Sequence, residues 1–265
     1  MRPVITSRTL SDQRRALLGW AFGLAALTGL YVSIWPSLRD QPSLQGFLDR
    51  LPPAFRALFA ANGADLTSAP GYLQVELLSV LAPMLMLLYA INAGAAAIAG
   101  EEDRRTMEEL LANPISRDRL VLEKFAALLA GVLGLTGAAM LAVLGEGAAA
   151  GMRLPAGRML AALVQLGLLA LLFGTLALAV GALTGRAAAS RAVPALVAML
   201  SYALNALGEL VGWLRAVRPA SPFYAYLGSD PLRHGLFVPG LFGSAATVAV
   251  LLALAVVGFR RRDVR

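Results

Sequence analysis

Residues 159–183 read MLAALVQLGLLALLFGTLALAVGAL, a stretch without a single charged side chain. A helix rises about 1.5 Å per residue, so roughly 20 apolar residues cross the ~30 Å hydrocarbon core of a bilayer. The stretch is longer than that and is read as a membrane-spanning helix. Gly167, Gly174 and Gly181 recur along it every seven residues, which keeps them on one face. Small residues on such a face let a neighbouring backbone approach, although in a chain this rich in Ala and Gly the recurrence is equally what chance provides.

Working outward, five further runs have the same character: 16–35, 77–99, 120–145, 192–213 and 236–259. The third carries Glu123 and Lys124 in its first turns and therefore begins outside the hydrocarbon; the fifth carries Glu209 near its end. The chain of 265 residues is 58% hydrophobic and 15% charged, with a mean hydropathy of +0.69. Soluble domains carry about 25% charged residues, so this apolar excess must face lipid. The expected fold is all-α: one polytopic membrane domain over 1–265 with six transmembrane helices. Arg2, Arg8, Arg14 and Arg15 ahead of the first run resemble a secretory signal. The run is too long for one, and no A-x-A cleavage site follows, so it is expected to stay as the first span.

The net charge is +7 and every basic residue but Lys124 is Arg. These residues sit in short loops beside the apolar runs, the pattern of membrane orientation rather than of nucleic-acid binding. Fifteen of the 23 basic residues fall before the first run, in 100–124, in 184–191 and after the last run. The positive-inside rule therefore places both termini and the 100–118 loop in the cytoplasm. Segments 36–72 and 214–235 are then external. The first is divided by Pro36, Pro42, Pro52, Pro53 and Pro70, with Phe47, Leu48, Leu51 and Phe55, Leu58, Phe59 at helical spacing between them, as in short interfacial helices. The second is rich in aromatics that suit the interfacial belt. The absence of cysteine removes disulfides, thiolate metal sites and thiol catalysis.

The cytoplasmic loop carries the functional signal. After Gly100, read as the helix breaker, Glu101, Glu102 and Asp103 open a new helix where its dipole favours acids. Met107, Leu110 and Leu111 form an apolar stripe, and Glu101, Arg104, Arg105 and Glu108 cover the other faces. Asn113-Pro114 ends the helix, and Ser116 is placed to cap the next one, with Asp118 in its first turn. Interfacial helices usually carry Lys/Arg-rich polar faces, whereas 101–112 is net acidic and suits a protein partner.

This stretch resembles the coupling-helix region of ABC-2 type exporter permeases, whose pattern runs roughly E-x-x-x-G-T-x-E-x-L-L-x-x-P-[IV]-S-R. Glu101 or Glu102, Thr106, Glu108 or Glu109, Leu110, Leu111, Pro114, Ile115, Ser116 and Arg117 match it, while Arg105 stands where Gly is common. Ser221-Pro222-Phe223 and the ending Phe259-Arg260-Arg261-Arg262-Asp263 are also similar to that family. The resemblance implies a bacterial inner-membrane exporter. Two permease copies, identical or related, would each dock a separate ABC ATPase through Glu101, Glu102, Arg105, Thr106, Met107, Glu108, Leu110, Leu111, Pro114, Ser116 and Arg117. ATP and Mg would be bound by that ATPase and no cofactor by this chain. A Walker A motif needs Gly-Lys-Ser/Thr, and the only lysine, Lys124, lies between Glu123 and Phe125. The chain is therefore not expected to be an enzyme by itself.

Two other readings were weighed. An intramembrane hydrolase is faintly suggested by Glu101-Glu102, but Thr106 stands where the E-E-x-x-x-R motif needs Arg, and His234 is the only histidine for a metal or a Ser–His pair. A secondary transporter needs ionisable groups at membrane depth. Ser201, Asn205 and Glu209 lie at i, i+4, i+8 on the fifth run, and Tyr89 and Asn92 lie on the second. They are read either as interhelical hydrogen-bonding groups or as a polar strip lining a substrate path. In the resembling family these two spans border the dimer interface where substrate passes. So sparse a strip fits a lipophilic or amphipathic cargo.

Overall fold

The computed structural model describes residues 4–39, 46, 50, 52–58, 65, 66, 68–107, 115–208, 210–228 and 230–262. Among these the chain is helical and without strands. Five helices are long and apolar enough to span a membrane: α1 (Val4–Leu38), α6 (Arg117–Ala149), α7 (Ala156–Thr184), α8 (Ala187–Leu207) and α11 (Val238–Arg261). A bent pair, α3 (Ala69–Leu73) with the π-helical Gln74–Leu78, then α4 (Leu81–Ala97) at 41°, passes the same test when taken as one broken span and is then the sixth. Short helices α2 (Pro53–Leu58), α5 (Ala99–Asp103), α9 (Gly212–Val217) and α10 (Pro231–His234) join them. The chain is a multi-pass α-helical membrane protein.

The most enclosed helix is α7, packed against α4, α6, α8 and α11. Its glycines are the contact seam. A Cβ on Gly174 would lie 3.0 Å from the Ala90 carbonyl oxygen, and one on Gly181 would lie 3.3 Å from Ala99 Cβ. Facing them, Gly94 lies so close to the Gly174 carbonyl that it has no room for a side chain. By contrast, Gly19 and Gly23 on α1 meet nothing within 4 Å.

The second span begins at Ala69, within the end of the segment expected as external loop and earlier than the expected start at 77, and bends at Ser79–Val80. Pro83 explains the bend: it has no N–H for the Ser79 carbonyl, and its ring crowds that oxygen. Carbonyls freed near a break must find other donors in lipid. The Ser79 hydroxyl donates to Gln74 O at 2.5 Å and the buried Tyr226 hydroxyl to Leu78 O at 2.7 Å.

The fifth span also differs from its expected limits of 192–213. Helix α8 ends at Leu207, Gly208 follows as its C-cap, and Arg218 folds back to donate to the Asn205 carbonyl at 3.0 Å and its side-chain oxygen at 3.3 Å. Ser201 and Asn205 are therefore on the helix, whereas Glu209 lies beyond its end and outside the described residues.

Candidate functional site

The start of α1, the ends of α4, α7 and α11, and the starts of α6 and α8 meet at one end of the helices. The segment after α4 is organised by backbone geometry first. Ile98, at φ −123° and ψ −63°, leaves the helix and α5 begins at Ala99. Gly100, expected to break the helix, lies inside α5; the break is one residue earlier than Ala99. Then α5 stops after Asp103, so the single helix expected over 101–112 is interrupted. Arg105 adopts φ +59°, its N–H donates to Glu102 O at 2.9 Å, and the Thr106 N–H donates to Glu101 O at 2.9 Å. This pair of bonds is a Schellman ending, whose left-handed residue is usually Gly. The glycine common at this position of the pattern thus has a conformational reason, and Arg105 adopts the same geometry with a side chain.

Glu101 is the hub of the site. It pairs with Lys124 Nζ at 2.6 Å, accepts the Thr106 hydroxyl at 2.5 Å and lies 3.7 Å from Arg104. The Lys124 side chain is only 4% exposed and that of Glu101 17%. Burial by itself would raise the Glu101 carboxyl. The hydrogen bonds from Lys124 and Thr106, with the charges of Lys124 and Arg104, outweigh it and hold the group below the ordinary carboxylate range.

A second set of contacts brings in the last helix. Arg262 pairs with Glu102 and donates to the Gly181 carbonyl at 3.4 Å. Arg117 donates to the carbonyls of Phe259 at 3.2 Å, Arg260 and Arg262, satisfying C-terminal acceptors of α11. Asp118 pairs with Arg260. The Phe259 ring lies between the guanidiniums of Arg117 and Arg262, at 5.8 and 6.0 Å. Gly185, at φ +66°, closes α7 where a Cβ would strike the Arg262 guanidinium. On the other flank the Thr6 hydroxyl donates to Glu123 O at 3.0 Å, and Glu123 pairs with Arg119 at 2.8 Å.

Seven of the residues expected to couple to an ATPase are described. Glu101, Glu102 and Thr106 are joined to Lys124 and Arg262. Ser116 caps α6, accepting from the Arg119 N–H at 3.3 Å, as its place before Asp118 predicts. Arg117 caps α11 and Arg105 forms the turn. Met107 is corrected: instead of facing outward in an apolar stripe it is 2% exposed and packs with Ile98, Leu120, Leu178 and Phe259. Turning at Arg105 reorients it towards this apolar cluster. Glu108, Leu110, Leu111 and Pro114 lie outside the described residues.

The proposed polar strip is dispersed. Tyr89 is buried beside Trp20 and Gly131, with no hydrogen-bond partner for its hydroxyl among the described residues. Asn92 faces outward and donates to Leu88 O at 2.8 Å. Asn205 is buried under Arg218, and Ser201 O accepts the Ser221 hydroxyl at 2.7 Å. Of these, Asn205 and Ser201 anchor the chain after α8. Lys124, Asp118, Arg260 and Arg262 were not singled out from the sequence as site residues. Their signal was present in the lone lysine and the terminal arginine cluster.

No curated protein matches the chain significantly. The family model for ABC-2 family transporter proteins matches residues 5–264, nearly all of it. The seam of small residues, the six apolar crossings and the bracketed loop between the second and third therefore belong to a transmembrane permease, and the chain is a member of the ABC-2 transporter family.

Proposed function

We propose that the chain is the permease of an exporter, driven through residues 100–117 by a separate ABC ATPase that binds ATP and Mg. ABC-2 membrane components generally act with such a partner and are not themselves catalytic. The observation that carries this reading is the bracket around Glu101 and Glu102. Ion pairs and capping hydrogen bonds tie the loop to α6 through Lys124 and to α11 through Arg262 and Arg117. A push on this loop is thereby delivered to membrane helices instead of being absorbed by a loose connection.

In this reading the bracket and both chain ends face the cytoplasm, as the Arg distribution requires. Two copies assemble in the cell membrane, and cargo passes near the outward faces of α4 and α8, with Asn92 and Ser201 beside the path. Leu110 and Leu111 anchor the loop in a groove of the ATPase, because an amphipathic segment docks through its apolar residues. Replacing both by Asp buries unpaired charge at the contact. Leu110→Asp with Leu111→Asp is expected to lose the ATPase on co-purification while the permease still assembles. Retention of the ATPase at the wild-type level would overturn the assignment.

A further inference from the structure

A groove of about 540 Å³ runs between the first half of α1 and the middle of α6. Its α1 wall changes character along its length: Ser7, Leu10, Ser11 and Arg14 lie at the bracket end, all but Leu10 polar, followed by Leu17, Leu18 and Ala21. The opposing wall includes Gly131, Gly134 and Leu135. Nothing lies within 4 Å of where a Gly134 Cβ would be, so that glycine keeps the groove open. Behind Gly131 is the buried, unpartnered hydroxyl of Tyr89.

From Arg14 to Ala21 the wall extends about 10 Å, within the roughly 15 Å hydrocarbon depth of one leaflet. Polar hydroxyls and a guanidinium followed by an apolar trough reproduce the polarity profile of a phospholipid. Arg14 is the one charged side chain among the described residues that line the groove, so its polar end is cationic. We propose that this groove holds one anionic phospholipid from the leaflet on the bracket side. Its phosphate sits on Arg14, whose planar fork matches phosphate oxygens, with the Ser11 hydroxyl alongside. One acyl chain lies along Leu17, Leu18 and Ala21 over the notch at Gly131 and Gly134. The proposal is independent of the ATPase and of the cargo.

Native mass spectrometry of the detergent-purified permease, titrated with phosphatidylglycerol and with phosphatidylcholine, tests it. The wild type is expected to retain one phosphatidylglycerol per chain in preference to phosphatidylcholine. Arg14→Glu should weaken that retention about tenfold or more, since loss of one cation at an anionic lipid surface is worth about fivefold and the new carboxylate adds repulsion. Arg14→Gln should weaken it less, and Arg15→Glu, off the groove, should leave it unchanged. Gly134→Leu should displace the lipid without altering any charge. Unfolding curves matching the wild type verify that each variant is folded. Equal retention of the two lipids, or equal loss with Arg15→Glu, would reduce the site to diffuse attraction and overturn the proposal. So would Gly134→Leu that leaves lipid bound, or that converts a dimer to a monomer, the latter seating a second copy in the groove.

Discussion

Lys124→Met isolates the central pair of the bracket. The substitution keeps an unbranched apolar side chain in a site where Lys124 is 4% exposed, and removes the cation 2.6 Å from Glu101. Removing one member of a buried pair costs about 3–5 kcal/mol, because the remaining charge is left uncompensated. Here Glu101 keeps the Thr106 hydroxyl, has Arg104 3.7 Å away and is 17% open to water, so the expected loss falls to about 2–3 kcal/mol. Lys124→Met with Glu101→Gln removes both charges and should cost only about 1 kcal/mol, as apolar replacement of buried pairs is often near neutral. Denaturant unfolding in detergent micelles, followed by tryptophan fluorescence, gives all three values. Glu101→Gln alone leaves the buried Lys124 charge uncompensated and should cost at least as much as Lys124→Met, so the cycle should show a coupling of about 3 kcal/mol or more. A single-variant cost below about 0.5 kcal/mol, or costs that simply add, would refute the claim that the pair organises the loop.

Glu101 is held below its ordinary value of 4.5, so the folded state favours its charged form. Its contribution is complete above the unfolded value and is lost as pH falls through the folded one, so unfolding free energy measured against pH should decline in acid below 4.5 and do so less in Glu101→Gln. Arg105→Gly relieves a side chain at φ +59° and should raise stability by about 1 kcal/mol in the same unfolding assay. Gly94→Val drives a side chain into the Gly174 carbonyl and should destabilise the α4–α7 contact by about 1–3 kcal/mol or more, seen as loss of monodisperse protein on size exclusion.

The apolar runs located the helices because twenty-odd uncharged residues have few other uses, and the family signal was legible because its motif is local. Other features depend on groups remote in sequence. Nothing in residues 77–99 announces that Tyr226 will take the Leu78 carbonyl, whereas Pro83 is a local cue to the bend. The end of α8 at Leu207 is fixed by Arg218, which hydropathy reads only as a loop charge. Lys124 meets Glu101 from 23 residues away and Arg262 meets Glu102 from 160 away, pairings that only the assembled bundle creates by gathering helix ends and starts on one side. Met107 fits a helical stripe by spacing. The left-handed Arg105 changes that register, and the consensus Gly was the one cue to it.

The proposed coupling requires that the bracket be the face that meets the ATPase. Because the chain contains no cysteine, single cysteines at Arg104 and, at the opposite end, Arg233 can be tested with a thiol cross-linker in membranes holding the permease and its ATPase. This coupling predicts a permease–ATPase adduct from position 104 and none from position 233. An adduct from 233, or none from 104 while the two proteins still co-purify, would contradict it.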